Sequence, residues 1–340
     1  MLASLYAAAA SARRSYYQRP GRQRRLERPV VSVGNLRVGG SGKTPAVAHL
    51  ARLLLDMGER PAILSRGYAR QSAPPGVVVV SDGQRMCADL ARGGDEPLML
   101  ARAVQGARVL VSPDRFLAGR LAEIHLEATV HLLDDGFQHL PLARGTDLLI
   151  VSPEDLADAR TLPSGRLREA LAAASVAHAV LVPADTVEQA RTVAASLGVG
   201  DGFRLMRITG APRRLDVVGA SAPVQAAGPV LAIAGIAQPE RFFQELGAAG
   251  WEVKETVSFR DHYRFTRADA ASLVERARQA GARAIVTTEK DVVRLLPFRP
   301  MALPVVWMPL EVRIEPAAAF RAWLASRLAA ERELGREARA

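Results

Sequence analysis

Residues Val30 to Pro45, VVSVGNLRVGGSGKTP, constrain this chain more than any other stretch. A β-branched run enters a glycine-rich turn and is followed at once by the helical pattern AVAHLARLLLDMG. Gly39, Gly40 and Gly42 let successive backbone N–H groups face one concavity. The helix adds its positive N-terminal end and Lys43 adds a movable cation. Thr44 places a hydroxyl where a magnesium ion bridging terminal phosphates needs a ligand. Strand, turn and helix together describe a cradle for nucleotide phosphates.

The usual phosphate-loop pattern is G-x-x-x-x-G-K-[ST], and here Arg37 stands at the first glycine. The binding candidates are Arg37, Val38, Gly39, Gly40, Ser41, Gly42, Lys43 and Thr44. Only three lysines (Lys43, Lys254, Lys290) occur among 45 basic residues, and one fills the phosphate slot. A compact ammonium serves there in a way that a forked guanidinium replaces poorly. The alternative is an ordinary tight turn, which the flanking strand and helix argue against.

A length of 340 residues fits about two domains. An apolar fraction of 49% describes a globular chain. The single Cys87 excludes an intrachain disulfide framework and a cysteine-rich zinc site, and points to a reducing compartment. A net charge of +10 and a pI near 10.6 favour polyanionic partners, but charge alone does not choose among nucleic acid, anionic lipid and phosphorylated substrate.

The chain begins with MLASLYAAAASA and then RRSYYQRPGRQRRLER. The apolar part falls short of the ~20 residues a spanning helix needs, and no positive residues precede it as in an export signal. Residues 1–28 therefore read as a basic amphipathic, membrane-associating segment. Leu2, Leu5, Tyr6, Tyr16 and Tyr17 would be its apolar contacts, with Arg13, Arg14, Arg19, Arg22, Arg24 and Arg25 on anionic headgroups. Deleting residues 1–25 is expected to weaken membrane binding and to leave the nucleotide site intact. A solvated tail is the plainer alternative.

Further motifs follow at strand ends, where ligands bind in open α/β sheets. LSRGY follows the strand Ala62 to Leu64. In GGDEP, Asp95 reads either as a helix cap or as a general base beside the phosphates. Apolar residues running into Asp134-Asp135 resemble a strand that presents a carboxylate to magnesium or its waters. Adjacent acids on a strand face opposite ways, so one serves the metal and the other a structural or substrate role. His139 reads as a hydrogen-bonded support, and LPSGRLRE as a basic loop entering a helix.

Strands and helices alternate from residue 30 to about 198, which argues for a mostly parallel sheet covered on both faces. Composition shifts near residue 200, and a second α/β unit starts at PVLAIAGIAQPERFFQEL. The divisions are thus 29–200 for the phosphate-loop domain, 201–227 for a linker, 228–328 for a smaller α/β domain and 329–340 for a charged tail.

Taken in order, SVGNLRVGGSGKTP, LSRGY, GDEP, DDGFQH, LPSGRLRE, FRDHY and TTEKD resemble one family, the tetraacyldisaccharide 4'-kinases of lipid A biosynthesis. The resemblance spans residues 30 to about 312. It implies a P-loop NTPase-like α/β/α sandwich with a second, smaller α/β/α domain joined by a two-stranded linker, and an active site in the cleft between them. It implies ATP and Mg²⁺ as cofactors, and a lipid A disaccharide 1-phosphate whose 4'-hydroxyl is phosphorylated to give lipid IVA. The setting it implies is the cytoplasmic face of the bacterial inner membrane, peripheral or weakly anchored; no nucleic-acid partner is expected, and the oligomeric state is open, with a monomer the simplest expectation.

By the same resemblance Lys43, Asp95, Asp135 and His262 are catalytic, with His262 of DHY orienting and tuning the general base Asp95. A free Asp near pKa ~3.9 is a weak base unless a partner adjusts it. Gln138 and Arg168 join the nucleotide contacts, and Thr44, Asp134 and Glu169 the metal. Lys290 stays outside the set. The N-terminus departs from the family in being short and weakly apolar.

The competing class is a P-loop GTPase-type switch or metallochaperone. The guanine-reading [NT]-K-x-D pattern is absent, and Thr288-Glu289-Lys290-Asp291 has the wrong spacing. A nucleic-acid-binding protein is disfavoured because the arginines are dispersed and no binding module is visible.

Overall fold

The computed structural model describes residues 2–40, 42–67, 70–72, 74–215, 221–223 and 228–337. Two candidates, Ser41 of the phosphate turn and Tyr68 of LSRGY, lie outside these. The chain divides into two compact units. The first comprises Met1–Gly93, Leu100–Arg207 and Val312–Ala340; the second comprises Gly94–Met99 and Ile208–Glu311.

The strands are β1 (Val30–Asn35), β2 (Pro61–Ser65), β3 (Val78–Asp82), β4 (Arg108–Val111), β5 (Val130–Asp134), β6 (Thr146–Ile150), β7 (Ala179–Val182) and β8 (Asp201–Thr209). Then come β9 (Arg213–Leu215), β10 (Ser221–Pro223), β11 (Pro229–Ala234), β12 (Glu252–Ser258), β13 (Ala284–Thr288), β14 (Val305–Met308) and β15 (Leu310–Glu315).

Among the described residues the first sheet has nine strands in the order β15-β8-β7-β6-β1-β5-β2-β4-β3. Every pairing from β8 across to β4 is parallel, and β3 closes the edge antiparallel to β4. β1 lies at the centre with all six residues buried, as its β-branched run demands of a strand covered on both faces. From β1 the chain leaves toward β2, whereas from the adjacent β6 it leaves toward β7 on the other side. Connections that part in this way open a crevice at the carboxyl ends of the strands. The phosphate turn leaves β1 at that end.

Two apolar clusters hold this sheet. One joins Leu149, Val151, Val180 and Val182 to Ala190 and Ala194 of the helix Val187–Ser196. The other joins Ala62, Leu64 and Leu110 to Ala118 and Ala122 of the helix Arg115–His125. Alanines on the helices let them approach the sheet closely, and each buried Leu or Val contributes about 1.5–3 kcal/mol.

The second unit is built on a six-stranded sheet, β10-β9-β14-β13-β11-β12. β12, β11, β13 and β14 run parallel, and β9 joins β14 antiparallel. Its core sets Val230, Ala232, Val286 and Val306 against Phe242 and Leu246 of the helix Pro239–Ala248.

The unit boundaries differ from the reading of composition in three places. The stretch expected to open the linker forms β8, which pairs with β7 and carries Phe203 and Leu205 into the core. The C-terminal helix Ala317–Glu337, expected to divide between the second domain and a tail, belongs to the first unit. It buries Phe320, Leu324 and Leu328, and the Phe320 ring meets Phe203 at 4.9 Å. Conversely, Gly94–Met99 leaves the first stretch of chain and counts with the second unit. Local composition carries no record of such long-range pairing. The loop after Arg168 also differs, since a 3₁₀ helix, Leu171–Val176, stands where an α-helix was expected.

Candidate active site

The phosphate turn is shaped by close approach. A Cβ on Gly34 would stand 2.4 Å from the Phe137 Cβ, so glycine alone lets β1 lie against the DDGFQH loop. Gly39 and Gly42 take φ of 99° and 81°, in the left-handed region that glycine enters without a steric penalty. The helix Lys43–Asp56 begins directly after Gly42, with no acid in its first turn and no side-chain cap from Gly42. Its first N–H groups and its dipole thus remain directed at an anion.

The Lys43 ammonium donates to Asn35 Oδ1 at 3.0 Å and stands 3.6 Å from Asp135 Oδ1. Thr44 follows at the second helical position, partly exposed. Arg37 is engaged sideways, donating to Ser152 Oγ at 3.2 Å and pairing with Asp155 at 3.4 Å. The Val38 N–H donates to the carbonyl of Arg166. The Arg166 guanidinium lies close to Gly39, 3.3 Å from where a Cβ would be.

Asp134 closes β5 and is 4% exposed, whereas Asp135, one residue on, has φ of 53°. A non-glycine residue in this region carries strain that only its surroundings hold in place. Here they are Lys43 and Arg168, whose guanidinium donates to Asp135 Oδ2 at 2.9 Å and to Gln138 Oε1 at 3.3 Å. Burial alone would raise the Asp135 pKa; the two cations outweigh it and hold the carboxyl below its ordinary value. Gln138 in turn donates to the carbonyl of Asn35 at 3.0 Å and to Glu169 at 3.1 Å. Lys43, Asp135, Gln138 and Arg168 therefore form one connected cluster.

Glu169, expected at the metal, borders this cluster through Gln138. Both of its oxygens accept from Arg14, at 2.7 and 2.8 Å, with the side chains only 7% and 8% exposed. Arg14 also lies over the Phe137 ring, 4.4 Å from its centroid. This corrects one expectation: Arg14, expected on anionic headgroups, points into the protein and pairs with Glu169. Arg24 likewise pairs with Asp114, the N-cap of the helix Arg115–His125.

Thr44, Asp134 and Glu169, the residues expected at magnesium, each offer the hard oxygen ligands this ion takes. Among the described residues no group of three or more His, Cys, Asp or Glu is arranged to cage a metal. Burial and the charges of Arg115 and Arg144 lower the His139 pKa to about 3, which holds its ring uncharged.

The second unit carries a separate cluster. His262, with φ of 57°, places Nδ1 3.0 Å from Asp95 Oδ2. Lys290 Nζ stands 2.9 Å from Nε2 of the same ring. An ammonium has no acceptor, so Nε2 accepts from Lys290 and Nδ1 carries the proton that is donated to Asp95. Asp95 is 7% exposed, and Arg294 donates to its Oδ2 through Nε and NH2 at 2.9 and 2.5 Å. Burial favours protonating this carboxyl, but the His262 hydrogen bond and the charges of Arg294 and Lys290 prevail and hold its pKa far below the usual carboxylate range.

Comparison with known proteins decides the family. The model of the tetraacyldisaccharide-1-P 4'-kinase family matches residues 1–329. The chain belongs to this family. A tetraacyldisaccharide 4'-kinase of Syntrophus aciditrophicus is 37% identical over 330 residues, covering 91% of this chain and 86% of that one. One from Geobacter metallireducens is 41% identical over 280 residues, 81% of each chain. A crystal structure of LpxK from Aquifex aeolicus, in complex with ATP, superposes with a TM-score of 0.77 at 31% identity and covers 96% of this chain and all of that one.

In this member of the 4'-kinase family, three contributors to the two clusters escaped the motif reading. Asn35 had a signal, a polar residue ending a buried strand just before the phosphate turn. Arg294 had one too, because Lys290 and Arg294 lie four residues apart and so share a helix face. Arg14 had none, since nothing local marks which arginine of a basic segment turns inward.

Proposed function

We propose that this chain transfers the γ-phosphate of ATP to the 4'-hydroxyl of a tetraacyldisaccharide 1-phosphate lipid A precursor, giving lipid IVA. The observation that carries this reading is the family match, which spans both clusters. The phosphate turn with Lys43, Gln138 and Arg168 holds the triphosphate. Thr44, Asp134 and Glu169 would hold magnesium, which when bound would neutralise charge on the terminal phosphates. Asp135, fixed between Lys43 and Arg168, keeps those cations in place.

The sugar hydroxyl attacks the γ-phosphorus, the bond to the β–γ bridging oxygen breaks, and ADP leaves. The hydroxyl proton passes to the Asp95 carboxylate, the general base that the His262 Nδ1–H orients. Such chemistry asks for positioning and charge neutralisation more than for covalent groups, and these residue types supply both.

The N-terminal helix Leu2–Tyr17 would place the enzyme on the inner-membrane surface. Leu2, Leu5, Tyr6 and Tyr16 are exposed, and Arg22 lies over the Tyr16 ring. Among the described residues no helix is long and apolar enough to cross a membrane, so an interfacial mode is the one this helix supports. The test is phosphate transfer from radiolabelled ATP, with Mg²⁺, to the tetraacyldisaccharide 1-phosphate. Labelled lipid is expected; lipid-independent hydrolysis with a preference for GTP would instead identify a nucleotide switch.

A further inference from the structure

Arg294 does more for Asp95 than neutralise it. It lies on the seven-residue helix Glu289–Leu295 together with Lys290, which reaches the His262 ring. Its third nitrogen, NH1, donates to Asp291 Oδ1 at 2.8 Å and to the Gly235 carbonyl at 2.9 Å. Asp291, wholly buried, accepts in turn from the Gly235 N–H at 2.9 Å and from the Thr288 hydroxyl at 2.7 Å. A Cβ on Gly235 would stand 3.0 Å from Asp291 Oδ1 and 3.5 Å from Arg294 NH1, so a larger residue would crowd the pair. The guanidinium is thereby anchored on one side, and its Nε and NH2 are left to grip one oxygen of Asp95. The other oxygen, Oδ1, accepts from the Glu96 N–H at 2.9 Å.

We propose that Arg294 is a positioning residue for the acceptor-side proton transfer, fixing the Asp95 carboxylate in the orientation in which it receives the His262 Nδ1–H. The proposal rests on the reading of Asp95 and His262 given above. A planar fork fixed at its far end resists rotation in a way that a lone ammonium does not. It thus supplies the alignment that proton transfer requires.

The charged groups around Asp95 are Glu96 on its own helix, Asp261 and His262 on the loop after β12, and Lys290, Asp291 and Arg294 on the helix Glu289–Leu295. Taking Arg294 away leaves Asp95, Glu96 and Asp291 with one fewer cation, so Asp95 protonates more readily. Activity that requires the anion is then lost at a higher pH on the acid side.

The experiment measures kcat, KM for ATP and the pH profile of the transfer assay for Arg294→Ala, Arg294→Lys and Asp95→Ala. Arg294→Ala is expected to lower kcat about 100-fold with KM for ATP within twofold. Added guanidinium ion should restore part of the rate. Arg294→Lys keeps the charge but loses the fork, so kcat should fall only about tenfold. If Arg294→Ala does not fold, as judged by circular dichroism and melting, Arg294→Lys decides. A folded Arg294→Lys with native kcat, while Asp95→Ala is inactive, overturns the role of Arg294 alone. A native rate in Asp95→Ala overturns the underlying reading of the pair.

Discussion

The two clusters solve opposite electrostatic problems. In the first unit Lys43 and Arg168 hold Asp135 in a loop that also carries Gln138, so cations gather at the turn proposed to receive phosphate charge. In the second unit Arg294, Lys290 and His262 converge on one carboxylate, and the cations serve to keep Asp95 anionic. Both clusters place a non-glycine residue at positive φ, Asp135 in one and His262 in the other. What differs is their origin. The phosphate cluster comes from loops at the ends of β1 and β5, beside the chain's most recognisable motif. The acid–imidazole cluster depends on the short segment Gly94–Met99, which leaves its sequence neighbours to join residues more than 150 positions away. A strand-end loop announces itself by local pattern; the pairing of Asp95 with His262 came only from the family resemblance.

The sharpest way to break this contrast is Asp95→Ala, expected to lower kcat about 10²- to 10⁴-fold while ATP affinity stays near native. Isothermal titration with ATP alongside the transfer assay checks it, and a parallel loss of nucleotide binding would mean the two clusters do not divide the work.

Next in size is Arg14→Ala. Removing one partner of a buried ion pair costs about 3–5 kcal/mol, because Glu169 is left without its cation. Glu169 and Gln138 link Arg14 to the phosphate cluster, so weaker ATP binding should accompany the lower melting temperature. Deleting residues 1–25 should do the same, contrary to the simple tether that the segment's composition suggests. A deletion variant with native ATP affinity and native melting would restore the tether.

A smaller effect tests the first unit's scaffold. Glu331, on the C-terminal helix, accepts from the Val30 N–H at the start of β1, and burial raises its pKa to about 7 from 4.5. The unfolded chain gives up this proton at lower pH than the folded one, so stability falls as pH rises from about 4.5 to 7. The full loss amounts to about 3 kcal/mol, and less after partial solvent screening. Glu331→Gln should flatten denaturation midpoints across that window; an unchanged slope would show that Glu331 titrates normally.

The smallest effect belongs to the outer face of the N-terminal helix. Replacing Leu2 and Leu5 with Ser should weaken binding to anionic vesicles severalfold, because about 0.8 kcal/mol accompanies each buried CH₂. ATP affinity should not change, since both side chains are exposed, at 71% and 60%. Co-sedimentation reads the result.

The sequence by itself determined what depends on near neighbours. The glycine turn, Lys43, the strand–helix alternation and the paired acids Asp134-Asp135 are legible because backbone conformation and side-chain alternation act over a few residues. Tertiary structure alone decided which distant charges meet: that Arg14 closes on Glu169, that the C-terminal helix rejoins the first unit, and that Arg294 grips Asp95 across 199 positions. Burying a charge is tolerable only where an opposite charge is brought to it, and that choice is made by the packed fold as a whole. No local pattern can record it.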